Sequence, residues 1–545
     1  MKDAYERVPL MFRSQIQSRS QIQRLIPKAE IQDAENWADE WVEAVADSQD
    51  YQFSSKVETK SYQITWRFIT NSGQDEGVIR PVIGAKGFPY FPGSSMKGAF
   101  WRSCPRSKRE RYCGYESEGE SHPGILRFHG GYPDADWSNQ DIVDVVHPQE
   151  DWQLKSGGNH SAFIQISLYQ PELTFGISSK EKLSTEEWEK IWRIWEKAIA
   201  QGLGTRVSAG YGQVKLDRTQ LNSIVSVNLK GQGLASQLIN KEGEFRANMF
   251  KASLRGHTLR LLGGVTDADT AERITKKLWG GFAGRNGAVV GELGIVFDSI
   301  DLELDDFTYT PNQNPFDIPI YELNQGKLDI VAMGKVTDKR KQNLERFLKN
   351  LLQFSLLLGG FGKSWRRVDH RIFFPDYLEN GNKPMIGCHW EFLKSSTALH
   401  ICVNELADIT AFLDAVHNNI KNWVTKVSKE QLNPNGTNWR EAFKKNNVQV
   451  WGRIAEDKED SEAIYFFHEE YKQDRTIQRS ILTGKMGQIG RIWHRMYPRK
   501  ITTEKGVKIT REYVELLTIF PDNSQKTKDF LQYLGSNSSE FQRLW

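Results

Sequence analysis

The chain has 545 residues, in which 72 lysines and arginines nearly balance 69 aspartates and glutamates and leave a formal net charge of +3. At roughly 100–200 residues per domain this length predicts several domains, and a composition of 39% hydrophobic and 26% charged residues excludes disordered and fibrous classes. The sequence has no run of about 18 apolar residues, and residues 1–24 lack the apolar core of a secretory signal, so we expect a cytoplasmic protein. Four cysteines without a CxxC motif predict free thiols.

Basic residues are concentrated in three short runs, so the near-neutral total says little about partners. The runs are KGAFWRSCPRSKRER at 97–111, KSWRRVDHR at 363–371 and KMGQIGRIWHRMYPRK at 485–500. Each interleaves arginine with tryptophan or tyrosine, a mixture that can neutralise phosphates and stack on unpaired bases. We therefore expect three nucleic-acid contact segments, although any one run alone is equally well explained as a solvated surface loop.

The first half of the chain alternates predicted helices and strands. Apolar residues at helical spacing mark two long helices, and the second of these begins with a capping box formed by Ser184 and Glu187. In chain order we predict a helix over 29–46, a strand over 62–69, a short helix within 91–102, a mobile loop over 103–124, strands over 125–129 and 162–177, a helix over 184–200 and a strand over 213–216.

A helix followed by a glycine-rich loop and a strand occurs twice, over 184–216 and over 343–374. This recurrence predicts an internal duplication, and the mixture of helices and strands favours an α+β fold. Further along we predict a helix over 407–427, a loop over 432–437 and a strand over 513–520. The predicted organisation is an N-terminal helical extension (1–50), a first domain (51–220), a linker (221–245), a second domain (246–400) and a region (401–545) that completes the second domain or forms an accessory α+β region.

Two local motifs are candidates for phosphate binding. In GLGTRVSAGYG the glycines can adopt positive φ and lie against a phosphate chain, while Arg206 and Tyr211 would add charge and a stacking face. These glycines are Gly202, Gly204, Gly210 and Gly212. The helix after Pro92 would present free amides at its N-terminus, with Ser94, Ser95 and Lys97 as further donors. A helix C-cap turn and a capped structural helix are the respective alternatives.

Together these motifs resemble the signature of the RAMP superfamily, the RNA-binding subunits of type III CRISPR effector complexes. FPGSSMKGAFWR (91–102) and GLGTRVSAGYG (202–212), with GILRFHGGYPD and DVVHPQEDW between them, make the first half similar to the sixth Cmr subunit. ASLRGHTLRLLGG (252–264), KKLWGG (276–281) and GGFGKSWRR (359–367) make the second half similar to the first Cmr subunit. Each motif alone is weak, but the combination is specific.

The resemblance implies a ferredoxin-like (RRM-like) domain in each half, whose sheet and glycine loop grip the crRNA or the guide–target duplex. The first-half positions that match the family motifs are Lys97, Arg102, Arg206 and Tyr211. The second-half positions are Arg255, Arg260, Lys363, Arg366 and Arg367, with Gly359, Gly360 and Gly362 in the corresponding glycine loop. From the basic runs we add Arg371, Arg491, His494 and Arg495 as candidate RNA contacts.

Catalysis is where this sequence departs from the target-cutting members of the superfamily, which resemble one another in an aspartate two residues before a proline. Here that residue is Ile79, before Pro81, and an aliphatic side chain cannot bind a metal ion. This argues against catalysis without deciding it, because Asp75 and Asp267 are weak catalytic candidates, for which a turn or helix-cap carboxylate is the alternative. We therefore expect no cofactor, and Mg²⁺ only if one of these acids is catalytic.

The sequence offers weaker signals for two other chemistries. Zinc-type ligands are grouped within 104–129, but their spacing matches no common zinc module, so scattered side chains are the preferred interpretation. These weak metal candidates are Cys104, Cys113, His122 and His129. His494 has the right chemistry for a general base, but no acid or nucleophile accompanies it in the sequence, which favours a phosphate or stacking role.

From the sequence alone we expect a non-catalytic crRNA-binding subunit of a type III CRISPR ribonucleoprotein that acts in antiviral defence, near the 3′ end of the crRNA. Its expected partners are crRNA, target RNA and other effector subunits, without a membrane. Two alternatives remain open: a metal-dependent endoribonuclease that cleaves target RNA, and a protein–protein scaffold that never contacts RNA.

Overall fold

A computed structural model describes residues 31–46, 51–70, 73–75, 78–84, 87–138, 140–146, 154–155, 163–216, 221–238, 240–282, 288–379, 381, 383–485, 488–536 and 538–545. The described residues of 1–148, 161–222 and 238–240 form one compact unit, and those of 149–160, 223–237 and 241–545 form a second. Both units combine helices with mainly antiparallel sheets, which confirms the α+β class. Within these ranges no helix is both long and apolar enough to cross a membrane.

The first unit is built on a three-stranded antiparallel sheet in the order β7-β11-β1. Its strands are β1 (Glu58–Gln63), β2 (Arg67–Phe68), β3 (Gly73–Asp75), β4 (Val78–Arg80), β5 (Gly114–Ser117), β6 (Glu120–Pro123), β7 (Leu126–Pro133), β8 (Val143–Val146), β9 (Phe163–Ile166), β10 (Leu168–Tyr169) and β11 (Glu172–Ser179). Its helices are α1 (Ile31–Ala46), α2 (Gly93–Ser103), α3 (Arg106–Cys113) and α4 (Thr185–Ile199). A second sheet has the order β3-β4-β9-β8.

Helices α2 and α4 cover the β7-β11-β1 sheet because each carries one apolar face. Met96 and Phe100 of α2 are fully buried, as are Phe175 of β11 and Trp195 of α4, whose rings lie 5.0 Å apart. The cap predicted for α4 is present, since the amide of Glu187 donates to a side chain of the residue before the helix. Buried apolar residues at helical spacing therefore pack both helices against one side of the sheet.

The second unit contains two four-stranded antiparallel sheets, in the orders β17-β18-β12-β19 and β23-β24-β20-β25. Its strands are β12 (Ser223–Leu234), β13 (Ser236–Gln237), β14 (Gly243–Glu244), β15 (Gly281–Phe282), β16 (Ala288–Val289), β17 (Leu293–Tyr309), β18 (Phe316–Ala332), β19 (Cys388–Phe392), β20 (Gln449–Ala455), β21 (Gly484–Lys485), β22 (Gln488–Ile489), β23 (Ile492–Thr503), β24 (Gly506–Ile519) and β25 (Gln542–Arg543). Its helices are α5 (Asn248–Gly263), α6 (Ala268–Trp279), α7 (Asp338–Leu358), α8 (His370–Phe373), α9 (Ala407–Asn422), α10 (Glu462–His468) and α11 (Gln525–Leu534).

The three principal sheets share one connectivity. When the strands of each sheet are numbered along the chain, both sheets of the second unit have the order second, third, first, fourth, with helices after the first and third strands. In the first unit β7, β11 and β1 follow the same order, and a bridge between Val214 and Ile64 at the end of β1 takes the place of the fourth strand. The region 401–545 therefore contains a sheet of its own with the same chain path.

Several sequence predictions differ from the fold. The expected linker 221–245 contains β12, which pairs with β18 and β19 in the second unit's first sheet. Its glycines, which weakened the strand signal, have a packing role, since a Cβ on Gly231 would come within 2.3 Å of the Trp390 ring. The expected loop 103–124 forms α3 and the β5–β6 hairpin. The strand expected to end the helix–loop–strand unit over 343–374 would span 372–374, but these residues fall largely in α8, which Asp369 caps.

Candidate nucleic-acid interface

The exposed face of α2 gathers the polar residues of the first helix motif. Burial of Met96 and Phe100, which are four residues apart, turns the remaining faces of the helix outward. The exposed residues of the helix are Ser94, Ser95, Lys97, Trp101 and Arg102. Lys97 and Arg102 form no ion pair with any described residue. Both cations are therefore available to a ligand.

An aromatic–arginine pair extends this face onto α3. Trp101 is 45% exposed, and the guanidinium of Arg109 lies 4.1 Å from the centroid of its ring. Arg109 also donates through Nη2 to the carbonyl oxygen of Cys104 at 3.0 Å, which fixes the pair. Arg106 is exposed, whereas Arg111 is ion-paired with two glutamates. We call Ser94, Ser95, Lys97, Trp101, Arg102, Arg106 and Arg109 the α2–α3 surface.

The α2–α3 surface adds three residues to those named from the sequence. Trp101, Arg106 and Arg109 lie in the basic run 97–111 that was expected to contact nucleic acid, but they were not among the named candidate residues, and Arg106 and Arg109 also lie in the expected mobile loop 103–124. The signal that could have found them is the presence of Tyr112 and Cys113 at the end of a charged segment, because both are buried and hold α3 in place.

The glycine loop after α4 is shaped by its own backbone. All four predicted glycines have positive φ: 97° at Gly202, 79° at Gly204, 91° at Gly210 and 62° at Gly212. A Cβ on Gly204 would lie 2.0 Å from the carbonyl oxygen of Ile69, and one on Gly212 would lie 1.9 Å from that of Leu203. Internal packing therefore accounts for Gly204 and Gly212 without a bound phosphate chain.

The two residues of this loop that were expected to contact RNA differ in exposure. Arg206 is exposed, forms no ion pair among the described residues, and has a left-handed backbone with φ of 57° and ψ of 21°. Tyr211, expected to stack on a base, is 1% exposed instead; its ring lies 4.5 Å from that of Trp66 and its hydroxyl donates to Asp144 at 3.3 Å. Tyr211 therefore holds the loop, and Arg206 is the member that faces outward.

In the second unit, two of the expected RNA contacts surround a buried carboxylate. Glu441 and Arg260 are both 0% exposed, and Arg260 Nη2 lies 2.7 Å from Glu441 Oε2. Arg366 donates from both terminal nitrogens to Glu441, at 2.6 and 3.0 Å, and Arg440 lies 3.3 Å away. Burial opposes ionisation of Glu441, but the guanidinium groups, Arg366 foremost, outweigh it and lower its pKa to about 2. These arginines stabilise the fold.

Arg367 and Arg371 are also engaged within the second unit. Arg367 donates to the carbonyl oxygens of Ile492 and Thr483, the latter at 3.2 Å, and burial lowers its pKa to about 10. Arg371 Nη2 lies 2.9 Å from Asp369. These contacts satisfy the guanidinium groups inside the protein.

The candidates of the third basic run follow the same pattern. Arg495 is 1% exposed and donates to the carbonyl oxygens of Leu356, at 3.1 Å, and Trp390. His494, also 1% exposed, lies 2.9 Å from Glu515, and burial lowers its pKa. Arg491 is half-buried, with Nη1 within 3.5 Å of two carbonyl oxygens. Arg495 and His494 therefore present no phosphate-binding group at the surface, whereas Arg491 is partly exposed.

Five further predicted positions in the second unit have mixed surroundings. Lys363 is exposed and Arg255 is half-buried. Gly360 and Gly362 have φ of 127° and 86°, whereas Gly359 is extended at 179°. A Cβ on Gly359 would lie 2.5 Å from the Trp365 ring, so this loop too is shaped by internal packing.

The weak metal and catalytic candidates do not assemble into a site. Among the described residues no group of three or more His, Cys, Asp or Glu could hold a metal ion. Cys104 and Cys113 are buried free thiols, whereas His122 is exposed. His129 Nε2 shares a hydrogen bond with the hydroxyl of Ser178, at 2.8 Å. The zinc ligand set is thus divided between the core and the surface.

The acidic candidates are equally dispersed. Asp267 caps α6 by accepting from the amide of Thr270 at 2.9 Å, and this bond lowers its pKa. Ile79 is 4% exposed in β4. Asp75 is the last residue of β3, and its side chain lies outside the described part of the structure.

Comparison with known proteins gives limited similarity. No family model matches the chain, and no curated protein matches it. A chain of the type III-B Cmr-β complex bound to cognate target RNA is similar at 19% identity, over 35% of this chain and 67% of that chain, with a TM-score of 0.23. A chain of a type IV-B CRISPR complex is similar at 16% identity, over 29% of this chain and 87% of that chain, with a TM-score of 0.21. At these TM-scores the similarity transfers no function.

Proposed function

We propose that this chain is a non-catalytic RNA-binding subunit of a type III CRISPR effector ribonucleoprotein, and that it holds the crRNA near its 3′ end. Its partners would be crRNA, target RNA and neighbouring effector subunits. The observation that carries the proposal is the α2–α3 surface, where the motif residues Lys97 and Arg102 are exposed and have no ion pair in the described part of the chain. Exposed cations beside an accessible tryptophan suit a phosphate backbone with unstacked bases.

The shared chain path of the three sheets supports the RAMP resemblance. An order of second, third, first, fourth with two helices on the connections is that of a ferredoxin-like domain, which the motifs implied for each half. We propose three such modules, centred on β1, β12 and β20, where the motifs implied two. The third module gives region 401–545 a place in the same architecture.

We assign the main RNA contact to the first unit. Most of the candidate contacts of the second unit are engaged inside it, so their contribution is to the fold: Arg260, Arg366 and Arg371 lie in ion pairs, and Arg367, Arg491 and Arg495 donate to carbonyl oxygens. Lys363 is exposed and remains a candidate contact there. Phosphate contacts by exposed cations give binding that depends on salt and has little base preference.

The absence of catalysis is part of the proposal. Ile79 stands where cutting members of the superfamily have an aspartate, and Asp267 is engaged as a helix cap. We therefore propose that the chain binds RNA without a cofactor, and that any cleavage of target RNA is the work of another subunit.

Filter binding of single-stranded RNA to the full chain over a salt series tests this proposal. We expect affinity to fall steeply between about 50 and 200 mM salt, by a factor that grows with the number of phosphates neutralised. Affinity that does not change over this range would contradict the proposal. In parallel, labelled target RNA incubated with the assembled complex and Mg²⁺ should give the same products with the wild type and with Asp75→Ala and Asp267→Ala; a product lost in either variant would instead support the nuclease alternative.

A further inference from the structure

We propose that one hairpin of this chain docks against a different hairpin of a second copy, so that the chain associates with itself head to tail. The first is the acidic hairpin, residues 298–322 of β17 and β18, and the second is the basic hairpin, residues 499–512 of β23 and β24. Both belong to the second unit, and neither contains a residue named above as an RNA contact. The proposal therefore does not depend on the proposed function.

Each hairpin has a free backbone edge. β17 pairs with β18 alone among the described strands, so it is an edge strand over its whole length. β24 pairs with β20 only over 513–519, so residues 506–512 pair with β23 on one side and with no described strand on the other. A free edge presents N–H and C=O groups with which a further strand can pair. Both hairpins can therefore form main-chain hydrogen bonds with a partner.

Exposed apolar side chains lie on both hairpins. The acidic hairpin carries Ile300, Leu304 and Phe316, and the basic hairpin carries Val507 and Ile509. All five side chains are between 39% and 51% exposed. Burial of apolar surface is the main favourable contribution to association between proteins, and grouped apolar residues beside charged ones mark interaction sites. Each hairpin thus has apolar surface that a partner can cover.

The two hairpins have opposite charge. Residues 298–322 contain seven acidic side chains and no lysine or arginine. The exposed charged side chains of the basic hairpin are Lys505, Lys508 and Arg511, against Glu504. These three cations form no ion pair with any described residue. The basic hairpin therefore offers free cations, beside apolar surface, to an acidic partner that also exposes apolar side chains.

The acidic hairpin carries an internal repulsion that a cation would relieve. Glu303 and Glu322 lie directly opposite each other in the β17–β18 pair, and both are exposed. Like charges in directly opposite positions destabilise an antiparallel pair. Neither glutamate has an ion pair within the described residues. A lysine or arginine of a partner that lies beside both carboxylates would offset this repulsion as well as attract each of them.

These charges determine which hairpins can meet. Two acidic hairpins repel each other, and so do two basic ones, so the contact joins unlike surfaces of two copies. The hairpins do not cover each other within one molecule, since both are exposed. RNA would be repelled by the acidic hairpin, and the complementary cations are present in the chain itself, so we favour a second copy. Two hairpins cover less than the roughly 1,200 Å² at which stable interfaces begin, so we expect weak association.

Sedimentation velocity of the full chain without RNA, over a series of protein concentrations, tests the contact. We expect the mean sedimentation coefficient to rise with protein concentration, and to rise less at about 0.5 M salt, where charges are strongly screened. In Glu303→Lys/Asp305→Lys and in Lys508→Glu/Arg511→Glu the association should weaken at least about 10-fold, because like charges then face each other. Glu303→Lys also places an opposite charge across from Glu322, so thermal unfolding of that variant should not fall.

A mixture of the two variants tests whether the contact is head to tail. Each variant keeps one native hairpin, so the mixture should associate as the wild type does although neither variant does so alone. The matched control is Glu116→Lys/Glu120→Lys, which makes the same charge change on the exposed β5–β6 hairpin. This control should associate as the wild type does.

Three results would overturn the proposal: a wild type that stays monomeric at every concentration, variants that associate as the control does, and a mixture that does not regain association. Filter binding of RNA to the same variants should match the wild type. Weaker RNA binding in Lys508→Glu/Arg511→Glu with unchanged self-association would assign the basic hairpin to RNA and also overturn the proposal. RNA binding by the wild type that does not depend on salt would contradict the proposed function and leave the association unaffected.

Discussion

Two basic segments of similar composition differ in how far their charged groups are buried. The run at 97–111 lies on α2 and α3 and presents exposed cations, whereas the run at 363–371 contributes Arg366 and Arg367 to buried or half-buried contacts. The difference lies in which groups surround each segment in the fold. The first run has one apolar face to bury and turns its charges outward, while the second run is surrounded by carbonyl oxygens and by the carboxylate of Glu441. Composition alone does not separate an outward-facing basic run from a structural one.

The largest effect that can test this comparison is expected from Glu441→Ala. The change removes the carboxylate shared by Arg260, Arg366 and Arg440, and breaking a buried ion pair costs about 3–5 kcal/mol. Urea denaturation of the full chain should show this loss in the transition of the second unit. Glu345→Ala, which breaks a surface pair with Lys349, should cost less than about 1 kcal/mol. Equal effects of the two changes would mean that the buried cluster is not structural.

The same carboxylate predicts an acid-dependent loss of stability. Because the folded pKa of Glu441 is about 2, below the ordinary 4.5, ionised Glu441 stabilises the fold above about pH 4.5, and this stabilisation is lost as pH falls toward 2. At about 1.4 kcal/mol for each pH unit, the contribution is roughly 3 kcal/mol. Urea denaturation at pH 6, 4 and 2.5 measures the free energy of unfolding. As pH falls, this free energy should decrease by about this much less in Glu441→Gln than in the wild type. A variant with the wild-type pH profile would contradict the assignment.

The outward-facing run should affect RNA binding and leave stability unchanged. In Lys97→Ala/Arg102→Ala we expect the dependence of log affinity on log salt to weaken by about 1.4, since each single-strand phosphate contact contributes about 0.7. Affinity at about 0.15 M salt should fall roughly tenfold. Filter binding measures both quantities, and Lys190→Ala on the exposed side of α4 is the matched control. An unchanged salt slope would remove the α2–α3 surface from the interface.

Local sequence signals predicted the helices of this fold better than they predicted which distant residues contact one another. The capping box at Ser184 and the buried spacing of Met96 and Phe100 gave α4 and α2 because both depend on neighbours within one helical turn or two. The pairing of Arg260 with Glu441 joins residues far apart in the chain, and no local pattern contains it. For the same reason the sequence predicted the strand over 513–520 without its sheet, since the pairing of β24 with β20 joins residues far apart in the chain.

The candidate site was predicted in part on the same grounds. The sequence identified the exposed Lys97 and Arg102 because their motif is contiguous. It placed Trp101 and Arg109 in a basic run without naming either as a contact, because their mutual contact depends on the angle between α2 and α3. The sequence also predicted that Tyr211 stacks on a base, whereas Tyr211 is buried. A tyrosine beside glycines gives no sign of whether the loop folds over it.

Arg206 allows the finest test, because its charge and its backbone conformation can be separated. Its left-handed φ of 57° costs a non-glycine residue about 1–2 kcal/mol, which glycine does not pay. We therefore expect Arg206→Gly to stabilise the first unit by up to about 1 kcal/mol, after the entropy that glycine adds to the unfolded chain. Arg206→Ala keeps the backbone cost and loses the same charge. Both variants should weaken the salt slope of RNA binding by about 0.7. Equal stability of the two variants would show that the backbone is not strained, and an unchanged slope in both would show that Arg206 does not contact phosphate.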